Sequence, residues 1–257
     1  MTAYERVQKA RALGRPTSLD FISEIFTDFF ELHGDRLFAE DRAVCGGIAF
    51  LEGRPVTVIG IEKGGNTDEK VRRNFGSAHP EGYRKALRLM EQAEKFKRPV
   101  VCFVDTAGAY CGIGAEERGQ GSAIAQNLVF MSKLTVPVIS VIIGEGGSGG
   151  ALALAVANEI WMLENAVFSV ISPEGAASIL YKDPSKAVSA SEDLKLTAQD
   201  LLSLGVIDKI FPEEDEAGLT FSLVKEELCE KIDMYFAMTP QDIQRHRYEK
   251  FRAMGRA

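Results

Sequence analysis

Three short apolar runs, separated by glycine-rich and helical sequence, constrain the fold of this chain most strongly. They lie at residues 99–104, 136–143 and 160–163. Continuous runs rich in valine and isoleucine, separated by helices, are typical of strands buried on both faces of a parallel sheet. Connections between such strands are right-handed. The sequence therefore predicts an α/β fold built on a mostly parallel sheet.

The other predicted elements follow from apolar spacing and turn residues. A hairpin is predicted at 43–51 and 55–62, and apolar residues at helical spacing predict a helix from a cap at Thr17 or Ser18 through Phe30. Further helices are predicted at 81–96, 115–131, 151–157 and 219–236, with a loop at 63–78. The region from about residue 196 onward is predicted to be mostly helical.

The domain organisation is predicted from what the sequence lacks. It has no repeat of fixed period, no low-complexity tract and no linker rich in proline or serine. We therefore predict one domain over residues 1–257. It would comprise N-terminal helices at 1–35, a core at 42–212 and C-terminal helices at 213–257.

Charge, apolar run length and cysteine spacing exclude several functions. The net charge of −7 is opposite to the basic footprint of nucleic-acid binders. The apolar runs are too short to span a bilayer, and the N-terminus lacks the apolar stretch of a signal peptide, so we expect a cytoplasmic protein. The four cysteines, at 45, 102, 111 and 229, form no CxxC pair, so no metal site is predicted.

The segment GEGGSGG at 144–150 fits a dinucleotide-binding loop only nominally. Gly144, Gly146 and Gly149 form GxGxxG after a predicted strand, and Glu164 follows further along the chain. The pattern is weak alone, and here it arises because glycine is dense.

The same segment also contains GxSxG, the pattern of a nucleophile elbow. Ser148 would be the nucleophile, and it would need a base within hydrogen-bond reach. His246 is the only histidine further along the chain, and Asp208 would be the third member. A serine hydrolase is therefore one alternative.

A third interpretation uses backbone amides rather than side chains. Gly149 and Gly150 are predicted to open a helix, and the first amides of a helix have no internal partner. A second loop of small residues, DTAGAY at 105–110, follows another buried strand. Two such loops can form an oxyanion hole, which stabilises negative charge as it develops in the transition state.

This pair of loops resembles the crotonase superfamily, in which an AGA loop and a GGxxLA loop each supply one amide to a thioester enolate. The resemblance implies a ββα spiral fold. It also implies that Ala109 and Gly149 are the amide donors, with Gly108 and Gly150 as their neighbours. The chain departs at Leu152, where hydratases carry a catalytic glutamate, and an apolar side chain cannot move a proton.

Longer segments resemble the α-subunit family of bacterial acetyl-CoA carboxylase carboxyltransferases over nearly the whole chain. They are GGIA at 46–49, RRNFG at 72–76, PEGYRKALRLM at 80–90, GAEERGQ at 114–120, GEGGSGGALA at 144–153 and ISPEG at 171–175. The chain departs at Ala107 and Cys111, where the family carries prolines. Loss of proline loosens the loop but leaves its amides available.

This resemblance implies an enzyme that transfers a carboxyl group from carboxybiotin to acetyl-CoA and forms malonyl-CoA for fatty-acid biosynthesis. The Ala109 and Gly149 amides would bind the ureido oxygen of biotin as carbon dioxide leaves. The biotin nitrogen would then take the proton from the acetyl group, so that no side-chain base is required. An acyl-CoA hydratase that uses Glu174 remains a further alternative.

The resemblance also implies partners and further contacts. Activity would require a zinc-bearing β subunit in an α2β2 assembly. Biotin would be attached to a separate carrier protein and carboxylated by an ATP-dependent biotin carboxylase. Tyr110, Gly146 and Gly147 would contact substrate, and Arg72 and Arg73 would lie near the CoA phosphates or at a subunit junction.

Overall fold

The computed structural model describes residues 1–213 and 217–255, and its strands form one eight-stranded sheet. The strands are β1 (Thr27–Glu31), β2 (Val44–Leu51), β3 (Arg54–Ile61), β4 (Val100–Thr106), β5 (Val138–Gly147), β6 (Glu159–Leu163), β7 (Val167–Ser169) and β8 (Lys209–Phe211). Their order is β1-β2-β3-β4-β5-β6-β8, and β7 pairs with the end of β5. The pairs β1–β2 and β2–β3 are antiparallel and the others are parallel. The predicted α/β fold with a mostly parallel sheet is confirmed.

Helices connect and cover these strands. They are α1 (Ala3–Arg11), α2 (Ser18–Ile25), α3 (Thr67–Arg72), α4 (Pro80–Phe96), α5 (Ile113–Glu117), α6 (Gln120–Lys133), α7 (Ser148–Leu152), α8 (Pro173–Leu180), α9 (Ala187–Asp193), α10 (Ala198–Ser203), α11 (Ala217–Phe236) and α12 (Pro240–Ala253). Short 3-10 turns lie at Asn74–Gly76 and Pro184–Lys186.

Both faces of the sheet are covered, as the apolar runs predict. Gly46 and Ile59 are directly paired, and a Cβ added to Gly46 would lie 2.6 Å from Leu89 of α4. Gly60 points to the opposite face, where an added Cβ would lie 2.6 Å from Ser18 of α2. The helix α6 packs on α4, and α11 packs on α2. One apolar cluster includes buried residues of all four helices.

The helix α2 is shorter than predicted, because the segment after it forms a strand. Phe21, Ile22 and Ile25 are buried at helical spacing, but α2 ends at Ile25 and β1 pairs with β2 from Thr27 onward. Phe30 is 67% exposed. The prediction of an N-terminal region made only of helices is therefore wrong at β1.

Three other predicted elements have different bounds in the structure. The segment 63–78 contains α3 rather than only a loop. The helix predicted at 115–131 is two helices, separated where Gly119 adopts a φ of 81°. The helix predicted at 151–157 instead spans Ser148–Leu152, directly after β5, which continues through the glycines to Gly147. The mostly helical C-terminal region also contains β8.

The remaining elements agree with the sequence. The hairpin is confirmed as β2 and β3, and the helices predicted at 81–96 and 219–236 are confirmed as α4 and α11. The three buried runs are β4, β5 and β6. Within the described residues, no helix has the length and apolar character needed to cross a membrane. The assignment of the chain to one domain stays a prediction.

Candidate functional site

Two loops at the carboxyl ends of β4 and β5 lie in direct contact. The first loop comprises residues 105–110, and the second loop comprises residues 144–150, from the end of β5 into α7. A Cβ added to Gly147 would lie 2.0 Å from the carbonyl oxygen of Ala107. A Cβ added to Gly150 would lie 2.5 Å from the backbone nitrogen of Ala109. The loops therefore meet through backbone atoms, which is why glycine occupies both positions.

Two amides at this contact have no partner among the described residues. The amide of Gly108 donates to Thr106 Oγ1 at 3.0 Å, and that of Tyr110 donates to the carbonyl of Ala78 at 3.0 Å. Between them, the Ala109 amide makes no such bond within residues 1–213 and 217–255. The Gly149 amide, in the first turn of α7, makes none outside its own helix in the same part of the chain. Because α7 has only five residues, its dipole adds little, and the amides themselves are the relevant donors.

An apolar cavity of about 280 Å³ opens beside Gly149. Its lining consists of Ser148, Gly149, Leu152, Phe168, Ser169, Val170, Leu201 and Val206. None of these side chains titrates near neutral pH. Leu152, which replaces the glutamate of hydratases, contributes to this apolar wall. The cavity therefore offers the Gly149 amide and apolar surface, but no side-chain acid or base.

The side chains required for a serine hydrolase lie far apart. Ser148 is exposed and adopts a φ of 51°, a strained conformation of the kind found in a nucleophile elbow after a strand. Asp208 accepts from the amide of Ile160 at 2.7 Å, and Ile160 pairs with Ser140 near the start of β5. Ser148 follows the opposite end of β5, about 25 Å away along an extended strand.

The histidine proposed as base lies with Asp208 rather than with Ser148. His246 Nδ1 is 3.4 Å from Asn158 Nδ2, and Asn158 directly precedes β6. Burial lowers the pKa of His246. The structure therefore does not assemble the triad of Ser148, His246 and Asp208.

Glu174 is also unsuited to the role of a free base. Arg11 binds its carboxylate through Nη1 at 2.8 Å and Nη2 at 3.4 Å. The hydrogen bond from Arg11 lowers the pKa of Glu174, so the carboxylate stays ionised and paired. This pairing removes support from the hydratase alternative.

The glycines of the nominal dinucleotide pattern are explained by packing. Gly144 and Gly146 lie inside β5 rather than in a turn after it. An added Cβ would lie 2.5 Å from the carboxyl carbon of Asp105 at Gly144, and 2.8 Å from the ring of Phe168 at Gly146. Close side-chain contact within the sheet, rather than a phosphate, requires these residues to be small.

The predicted contact residues Tyr110, Arg72 and Arg73 have partners of their own. Tyr110 packs on His79, with ring centroids 4.3 Å apart. Arg72 and Arg73 both bind Glu69, at 3.1 and 3.0 Å. Arg72 shares a polar cavity of about 430 Å³ with His79. Arg72 therefore lines the same cavity as the His79 ring, which packs on Tyr110.

One cluster at the site was missed by the sequence analysis. Lys63 and Arg11 approach the base of the two loops and bind Glu145, at 2.6 and 2.7 Å. Lys63 also approaches Asp105 at 3.3 Å. Asp105 and Glu145 belong to the two glycine-containing segments that the sequence analysis identified, but their cations come from distant parts of the chain. No spacing rule connects the four residues.

Comparisons with known proteins agree on one family. A family model described as acetyl co-enzyme A carboxylase carboxyltransferase-like matches residues 1–255. The acetyl-coenzyme A carboxylase carboxyl transferase subunit alpha of Ruminiclostridium cellulolyticum is 60% identical, over 99% of this chain and 98% of that protein. A protein of Natranaerobius thermophilus named as subunits beta/alpha of the same enzyme is 58% identical, over 100% of this chain and 43% of its own length.

Solved structures share the fold at low sequence identity. Transcarboxylase 12S, with methylmalonyl-coenzyme A and methylmalonic acid bound, has a TM-score of 0.72 at 20% identity, over 89% of this chain and 44% of that chain. A Pseudomonas malonate decarboxylase hetero-tetramer in complex with coenzyme A has a TM-score of 0.65 at 18% identity, over 80% of this chain and 84% of that chain. These similarities confirm the predicted crotonase-like architecture.

Proposed function

Because the chain belongs to the acetyl co-enzyme A carboxylase carboxyltransferase-like family, we propose that it acts as the α subunit of an acetyl-CoA carboxylase carboxyltransferase. The reaction moves a carboxyl group from carboxybiotin to acetyl-CoA and yields malonyl-CoA for fatty-acid biosynthesis. Within the site, one observation supports this proposal. The amides of Ala109 and Gly149 lie without partners, in the part of the chain that the structure describes, on two loops that contact each other.

These two amides hold the biotin ureido oxygen as negative charge develops on it. One such donor, placed before the charge appears, is worth about 100- to 1,000-fold in rate. Gly108 and Gly150 keep the two loops close enough for the donors to act together. Gly146, Gly147 and Tyr110 border the same site and are assigned to substrate contact.

When bound, carboxybiotin would supply both the carboxyl group and the base for the acetyl proton. This chain would hold its ureido oxygen at the Ala109 and Gly149 amides and would need no side-chain base of its own. The cavity beside Gly149 has no titratable lining residue, so it excludes competing acids and bases while its apolar walls limit water.

A β subunit is proposed to complete the active site from the opposite side. The fused β/α relative of Natranaerobius thermophilus supports this pairing. Ile113 and Val170 are 80% and 75% exposed beside the two loops, and we assign both to the contact with the β subunit. We assign zinc to the β subunit, biotin to a separate carrier protein and its ATP-dependent carboxylation to a biotin carboxylase. An α2β2 assembly, with Arg72 and Arg73 near CoA phosphates or at the junction, belongs to the same proposal.

The proposal is tested by the reverse reaction, transfer of the carboxyl group from malonyl-CoA to biocytin. Acetyl-CoA formation is measured with this chain alone, with the β subunit alone and with the mixture. We expect activity only in the mixture, because each chain supplies part of the site. No activity in a mixture that demonstrably assembles would refute the proposed function.

Substitution of Ser148 by alanine separates this proposal from the hydrolase. Ser148 contributes no side-chain chemistry to transfer, so we expect the rate to change by about twofold at most, as for exposed positions. A nucleophile would instead lose about a million-fold in kcat. The rate is measured in the assembled complex, and esterase activity of the unchanged chain serves as the control. Near-complete loss of transfer would contradict the amide mechanism.

A further inference from the structure

The strand β5 carries a bulge where the second loop begins. Val104 pairs with Ile142 and Thr106 pairs with Gly146. One residue of β4, Asp105, therefore lies opposite three residues of β5. A bulge bends its strand and leaves backbone groups without ladder partners. Its conformation therefore sets where the second loop lies relative to the first.

Side chains, rather than the sheet, bind the backbone groups of this bulge. The amide of Glu145 donates to Asp105 Oδ1 at 2.9 Å, and Arg15 Nη2 donates to the carbonyl of Ile143 at 2.8 Å. The Asp105 carboxylate also packs directly over Gly144, where an added Cβ would lie 2.5 Å from Oδ1. The bulge thus depends on one buried carboxylate and on the absence of a side chain beneath it.

Lys63 holds this carboxylate in place. Its ammonium lies 3.3 Å from Asp105 Oδ1 and 2.6 Å from Glu145 Oε2, and Arg11 binds the other oxygen of Glu145 at 2.7 Å. Burial alone would lower the pKa of Lys63, but the two carboxylates outweigh it and the pKa is raised. Burial likewise opposes the charged form of Glu145, yet its two cationic partners lower the pKa. The Lys63 ammonium and the Glu145 carboxylate are therefore both charged at neutral pH.

We infer that Asp105, held by Lys63, is a positioning residue that sets the distance between the two amide donors. Asp105 precedes Ala109 by four residues, and Glu145 precedes Gly149 by four. The hydrogen bond between Asp105 and the Glu145 amide therefore joins the two loops close to both donors. A displacement of about 1 Å at a reacting centre costs about 100-fold in rate. The inference rests on the proposed function, because the rate concerned is that of carboxyl transfer.

Three variants in the assembled complex test this role. Asp105→Ala removes the acceptor of the Glu145 amide, whereas Asp105→Asn keeps an acceptor oxygen and loses only the charge. Asp35→Ala is the matched control, because Asp35 is also buried, binds Arg84 at 2.8 Å and accepts three backbone amides in a different loop.

We expect the Asp105 variants to differ from the unchanged complex in kcat rather than in KM. We expect Asp105→Ala to lower kcat by about 100-fold with KM changed by about threefold at most. Asp105→Asn should recover at least about tenfold of that loss, since a neutral acceptor makes a weaker but similar bond. Asp35→Ala should lower the melting temperature and leave kcat unchanged. A kcat for Asp105→Ala within about threefold of the unchanged complex, or an asparagine variant no better than alanine, would overturn the inference.

A second measurement does not depend on activity. Hydrogen–deuterium exchange of the isolated chain is followed in peptides that cover residues 105–110 and 144–150. Asp105→Ala should accelerate exchange in both, because the bulge loses its acceptor, and Asp35→Ala should not. If the unchanged complex is inactive, the proposed function fails and this exchange experiment alone decides the positioning role. Unaltered exchange in Asp105→Ala would then refute it.

Discussion

Replacement of Gly149 by valine is expected to reduce carboxyl transfer by about 100-fold or more and to leave the fold intact. A Cβ at this position would meet only Ile124, at 3.6 Å, which is an ordinary contact. The two further methyl groups of valine would add bulk beside the Gly149 amide, next to the cavity that Gly149 and Leu152 line. They would keep the substrate oxygen away from the Gly149 amide without changing the amide itself.

The effect of this substitution is measured as kcat for transfer to biocytin in the assembled complex. Gly149→Ala serves as a graded variant, because its single methyl group fits and should cost much less than valine. Thermal unfolding and co-purification with the β subunit establish that both variants fold and assemble. An assembled valine variant with unchanged kcat would show that Gly149 does not face the reacting atoms.

The central strands and the two loops were predictable because their signals are local. Each of β4, β5 and β6 is a continuous apolar run, and burial on both faces leaves few alternatives for such a run. The loops follow strands whose carboxyl ends lie at one edge of the sheet. The sequence could therefore predict that Ala109 and Gly149 lie near each other.

The errors arose where distant residues decide the local structure. The spacing of Phe26, Phe29 and Phe30 is compatible with a helix. In the fold, however, residues 27–31 lie beside β2, and pairing with β2 makes them a strand. Glycine is unfavourable in strands, yet Gly146 and Gly147 extend β5 because β4 and β7 pair with them. In both segments, long-range pairing outweighs local propensity.

The charged cluster under the loops was unpredictable for a related reason. Arg11, Lys63, Asp105 and Glu145 come from four separate segments of the chain, and each is an ordinary charged residue in its own segment. Only the fold shows that these two carboxylates and two cations meet at one place beneath the loops. The glycine at 144 was equally ambiguous, since its purpose depends on the carboxylate that packs over it.

Replacement of Gly147 by alanine is expected to lower the free energy of unfolding by about 3 kcal/mol, the upper part of the range for added methyl groups in packed regions. Its Cβ would lie 2.0 Å from the carbonyl oxygen of Ala107 and 2.8 Å from the backbone nitrogen of Gly108. Backbone atoms cannot move aside as a flexible side chain can, so the loops must separate. Transfer activity should therefore fall together with stability.

Gly121→Ala is the matched control, because it adds the same methyl group where nothing lies within 4 Å. Gly121 belongs to α6, so this substitution should raise the free energy of unfolding by about 0.5–1 kcal/mol through helix propensity. Urea unfolding can be followed by the fluorescence of Trp161, the single tryptophan, which is fully buried. Opposite signs for the two variants would establish that contact at Gly147, rather than loss of a glycine, causes the instability. Gly147→Ala could be as stable as the unchanged chain only if the end of β5 and the backbone at Ala107 lay further apart in solution. In that case, the amides of Ala109 and Gly149 could not act on one oxygen.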